Sequence, residues 1–172
     1  MNRHLLAALS AGLVCAACSA GAPASPAEAA PPAPLQQDLT RDGACYARTY
    51  DTAHLAAHPQ QTVTSFFVGA AGAEWRSTET PGHFTVAFGF RITGHADLYS
   101  GIGICAPNGE TLTCDVEGDG GRFSIAHNGD GLRVTLQRLE VEGAHDFSPD
   151  LAAADNRVML LSPDQASACA AS

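Results

Sequence analysis

Between His83 and Ile92 the chain alternates without a break. Phe84, Val86, Phe88, Phe90 and Ile92 point one way, and Thr85, Ala87, Gly89 and Arg91 point the other. A period of two is the period of a pleated strand, and a face this apolar must lie on a core. Shorter runs repeat the pattern. Thr62–Gly69, Leu98–Cys105, Thr111–Glu117, Arg122–His127, Leu132–Leu136 and Arg157–Ser162 all read as strands. Gly118-Asp119-Gly120-Gly121 and Asn128-Gly129-Asp130-Gly131 supply turns between them. After Leu136 the apolar phase slips to Leu139 and Val141, which predicts a bulge or break near Gln137-Arg138. The expected fold is all-β, an antiparallel meander of about seven strands. It closes into a small β-barrel or, alternatively, packs as a β-sandwich. One short N-terminal helix is expected over Tyr50–Pro59, capped by Asp51 or Thr52 and stopped by Pro59.

Gly101 and Gly103 fall on one face of their strand, which predicts a close approach by another element or sharp coiling of the sheet. Cys105 and Cys114 flank the turn Ala106-Pro107-Asn108-Gly109-Glu110, where two registers compete. A two-residue turn at Gly109-Glu110 sets Cys105 opposite Cys114. A glycine-bulge turn at Pro107-Asn108-Gly109 instead pairs Ile102 with Cys114 and sends Cys105 to the other face.

The first eighteen residues read as an export signal. Arg3 and His4 precede the apolar run Leu5–Ala17, and Ala16-Ala17-Cys18 ends it. The run is about 13 residues, too short for a spanning helix of about 20. Its end resembles a bacterial lipobox, whose cysteine is diacylated and becomes the mature N-terminus. Cys15 stands where that pattern usually has leucine. The resemblance implies lipidation at Cys18, and Ser19 after it implies the outer membrane. The alternative is cleavage near Cys18-Ser19-Ala20, giving a soluble secreted or periplasmic protein. Residues 1–17 are thus expected as signal peptide, 18–37 as an Ala/Pro-rich tether and 38–172 as one β domain.

Processing leaves Cys45, Cys105, Cys114 and Cys169, an even number in an oxidising compartment, so two disulfides are expected. Three connectivities exist. A Cys45–Cys169 bridge would tie the ends of the domain together, and proximity favours Cys105–Cys114. The formal charge is −9 and the chain contains no lysine. An acidic surface argues against nucleic acid and points to a basic protein partner or a cation. Schiff-base, Ser-Lys and phosphate-loop lysine chemistry are excluded.

Candidate sites are few. His54 and His58, four apart on one helix, could offer two imidazoles to a metal. Asp115, Glu117 and Asp119 before Gly120 echo the start of a calcium loop, but Ala126 stands where its final glutamate belongs. Trp75 beside Arg76 reads as a binding anchor or as a plug for the barrel end. No serine sits in a nucleophile turn, and Glu140 and Glu142 read as the solvated side of a strand. No catalytic set and no cofactor are expected.

The pieces Cys45-Tyr46-Ala47-Arg48-Thr49-Tyr50, His54–Gln60, Gly118–Phe123 and Ala168-Cys169 resemble a group of small exported bacterial proteins of unknown function. The resemblance implies no activity. It supports pairing Cys45 with Cys169. The leading expectation is a non-enzymatic, envelope-located lipoprotein that binds a protein partner, as an inhibitor of a basic hydrolase would. The alternatives are a carrier of a small apolar ligand, with the Phe84–Phe90 face lining a cavity, an enzyme or metal-binding protein centred on His54 and His58, and a soluble secreted protein of unknown activity.

Overall fold

A computed structural model describes residues 34–76 and 80–170. The signal, Cys18 and the tether up to residue 33 lie outside the described residues. Eight strands form a closed antiparallel barrel in chain order. They are β1 (Cys45–Thr49), β2 (Val63–Ala70), β3 (Phe84–Ile92), β4 (Tyr99–Asn108), β5 (Thr111–Val116), β6 (Gly121–Asn128), β7 (Gly131–Leu139) and β8 (Val158–Pro163). Among the described residues two α-helices accompany them, α1 (Pro34–Thr40) and α2 (Thr52–Ala57). Among the described residues no helix is long and apolar enough to cross a membrane.

The expected meander is therefore present, as a barrel rather than a sandwich, with one strand and one helix more than the sequence pattern indicates. The added strand is β1. It is five residues long, and only its pairing with β2 and β8 defines it. The added helix is α1. A tether ending at residue 37 would cut through it. Leu35 and Leu39, one helical turn apart, are 3% and 0% exposed and belong to the barrel core. Burying that pair draws the end of the tether segment onto the domain. The helix α2 is shorter than Tyr50–Pro59. Asp51 stands outside it as the N-cap, accepting from the His54 amide at 2.7 Å, and His58 leaves the helical region before Pro59.

The inner face of β3 is the one its alternation predicts. Phe66, Phe88, Phe90, Tyr99 and Phe123 are each under 2% exposed and fill the lumen. Phe88 meets Phe123 edge-on at 5.4 Å, and Phe90 stacks on Tyr99 at 5.4 Å. Eight strands enclose about as much space as side chains can fill. A ligand carried inside would require these rings to part. Gly101 and Gly103 face inward beneath two of them. A Cβ at either would stand 3.0 Å from Phe88 Cζ or Phe123 Cζ respectively, so the close approach is that of aromatic rings.

The phase slip in β7 is a bulge. Arg122 faces Arg138 while Phe123 faces Leu136, leaving Gln137 extra, so that Leu136 and Leu139 both turn inward. A shift between Val63 and Ser65 does the same for Val63 and Phe66. At the β4–β5 turn the two-residue register holds. Asn108 faces Thr111 and Cys105 faces Cys114, both inward, and the two cysteines are bonded. Gly109 takes φ +63° at the first turn position, as a type II′ turn requires. The second disulfide joins Cys45 to Cys169 across 124 residues.

Candidate functional site

The ladder that closes the barrel is short. β1 pairs with β8 only through Tyr46↔Pro163 and Ala47↔Ser162. Beyond those pairs the strands part, and a cleft of about 500 Å³ opens between them. Arg48 and Tyr50 line it from the β1 side, Arg157, Val158 and Leu160 from the β8 side, and His54 and His58 from α2. The planar groups form a run. The Arg48 guanidinium lies 5.6 Å from the Tyr50 ring centre, Tyr50 lies 4.7 Å from His54, and His54 stacks on His58 at 4.4 Å. Burial pushes the Tyr50 phenol above its ordinary pKa, and its hydroxyl reaches Met159 Sδ at 3.4 Å.

This arrangement does not assemble the metal site that the histidine spacing suggests. Nearly parallel rings, 25° apart, do not aim their in-plane lone pairs at one ion. His54 Nε2 is also engaged by Gln61 Oε1 at 3.0 Å, and His58 Nδ1 lies 3.8 Å from Asp155. Among the described residues no group of three His, Cys, Asp or Glu gathers where a metal could sit.

The acidic run is likewise divided. Asp115 sits on the outer face of β5 and pairs with Arg122 at 2.6 Å. Glu117 and Asp119 belong to the short 3₁₀ turn that follows, where Gly118 and Asp119 take φ +65° and +64°. Glu117 joins a different set. With Glu140 and Glu142 it lines a groove of about 530 Å³, together with Ile102, Val116 and Phe147. Phe147 is 62% exposed, the most exposed large apolar side chain among the described residues. Glu140 accepts from Arg138 at 3.1 Å, and neither Glu117 nor Glu142 has an ion pair among the described residues.

Trp75 does not plug the barrel. Leu35 and Leu39 close that end, and Trp75 stays 49% exposed in the turn Ala73–Trp75, its carbonyl accepting from Thr85 Oγ1. Arg76 beside it donates to Asp42.

The sequence reading placed the histidine pair but missed Arg48, Arg157 and Leu160 around it. It also missed the convergence of Glu117, Glu140, Glu142 and Phe147. Both sets join residues from strands far apart in the chain, so no local spacing signals them. Comparison with known protein families, curated proteins and solved structures found no match.

Proposed function

We propose that this chain is an exported, non-enzymatic binding module of the cell envelope, lipid-tethered through Cys18 at the outer membrane and facing the periplasm. Its acidic groove receives a basic protein. The observation that carries this reading is Phe147, held out to solvent over a groove edged by Glu117, Glu140 and Glu142. An aromatic anchor beside carboxylates of which two, Glu117 and Glu142, have no ion pair among the described residues suits a cationic, partly apolar patch on a partner. The formal charge of −9 adds long-range attraction of the same sign. Occlusion of a basic hydrolase is one form this could take.

The test is capture from envelope extract with the mature protein and with a Phe147→Ala, Glu117→Gln, Glu142→Gln variant. The expected result is a basic protein held by the first at low salt, released at high salt and lost with the variant. No captured protein, or equal capture by both, would end the reading. Intact mass of the native mature protein tests the tether separately, since an acylated Cys18 adds a lipid mass that simple cleavage does not.

A further inference from the structure

The cleft between β1 and β8 has the opposite character to the acidic groove. Among the described residues, Arg76, Arg122 and Arg138 each have a carboxylate within ion-pair distance, whereas Arg41, Arg48, Arg91, Arg133 and Arg157 have none. Two of these five, Arg48 and Arg157, line one cleft, in a chain whose acidic residues number 18 against 9 basic ones. Among the described residues Asp155 is the one carboxylate lining it, and His58 Nδ1 lies 3.8 Å from that carboxylate. Apolar surface completes the cleft. Leu160 is 46% exposed, Val158 is half-buried, and the Tyr50 and His54 rings, tilted 30° to each other, line the same cleft. Leu160, exposed in the same cleft as two guanidiniums without a carboxylate partner, lies outside the core.

We propose that this cleft binds a small organic anion, a carboxylate carried on a flat apolar body. Arg48 and Arg157 would hold the carboxylate, whose two oxygens match a guanidinium fork. The apolar body would lie against Leu160 and the Tyr50 and His54 rings. The site follows from the barrel seam. If the β1–β8 ladder continued past Ala47↔Ser162, the strands would close over this space.

The probe is 2-naphthoate added to the mature protein, followed through the imidazole NMR signals of His54 and His58. Both signals are expected to shift saturably. Two partial probes separate the contributions. Neutral 2-naphthalenemethanol and inorganic phosphate should each bind about tenfold more weakly or worse, since each lacks one half of the recognition. An R48Q/R157Q variant should weaken naphthoate binding about tenfold or more. Both arginines are exposed, so its amide spectrum should stay folded. Phe147→Ala should leave naphthoate binding unchanged, which keeps this test independent of the protein-partner reading. Unmoved histidine signals, equal binding of either partial probe, or undiminished binding by R48Q/R157Q would overturn the proposal.

Discussion

A few polar side chains hold the open end of the barrel. Asn156 is 5% exposed. Its Oδ1 accepts from the amides of Thr62 and Val63 at 2.9 and 3.1 Å, and its Nδ2 donates to Thr62 Oγ1 at 2.8 Å. Asn156→Ala orphans two backbone donors, one of them buried, and should lower unfolding free energy by about 2–4 kcal/mol in urea titration. Nearby, Asp97 accepts from His145 at 2.7 Å through Nδ1 and at 3.0 Å through the amide. That hydrogen bond holds Asp97 below its ordinary 3.8 and His145 above its ordinary 6.5. For Asp97 the stabilisation is complete above 3.8 and fades as pH falls through the lowered value. For His145 it is complete below 6.5 and fades as pH rises through the raised value. The pair is therefore fully effective between those two points. NMR titration should place His145 above 6.5 in the native protein, and Asp97→Asn should bring it back. An unchanged His145 titration in that variant would refute the coupling.

Single elements show where local pattern suffices. The strand β3 was legible because five apolar residues repeat at period two, and the β7 bulge because the phase slips at a defined point. The start of α2 was legible from its Asp51 cap. The strand β1 was not, because Cys45 and Tyr46 are both buried and Arg48 and Thr49 both exposed, so no alternation marks it. Nor was α1, since seven residues are too few to form a helix without the core that receives Leu35 and Leu39. Glycine positions divide in the same way. Gly121 combines φ +115° with a site where a Cβ would stand 2.1 Å from the Arg138 carbonyl oxygen. Gly121→Ala should cost more than about 3 kcal/mol, read as the urea midpoint. Gly129, at φ +63° with open space around it, should tolerate alanine at about 1 kcal/mol.

For the molecule as a whole, the weak point is the seam, and the Cys45–Cys169 bridge ties β1 to the segment that follows β8. Its loop of 124 residues makes it the larger constraint on the unfolded chain. Removing it with paired Cys→Ser changes should cost about 4–5 kcal/mol, against about 2.5–3 kcal/mol for Cys105–Cys114, as judged by denaturant unfolding. The tyrosines report on the same closure. Burial raises Tyr46 and Tyr50, and the hydrogen bond from Tyr99 to Asp146 pushes Tyr99 up to about 12. Raised phenols stabilise the fold below the ordinary value of 10 and lose that contribution as pH climbs past it. Ultraviolet titration should show tyrosinate appearing late and together with unfolding. Appearance near 10 in a still-folded protein would contradict the packing.

The sequence alone determined which residues face inward along most strands, where the chain turns and which cysteines are available, because these follow from period, glycine and spacing within a few residues. Only the tertiary structure decided that eight strands close, that the β1–β8 ladder stops after two pairs, and that charges from distant strands sort into an acidic groove and an arginine-lined cleft. Closure is a property of all the pairings together. A charge that reads as mere solubility along the chain acquires a neighbourhood only when the barrel brings its ends around.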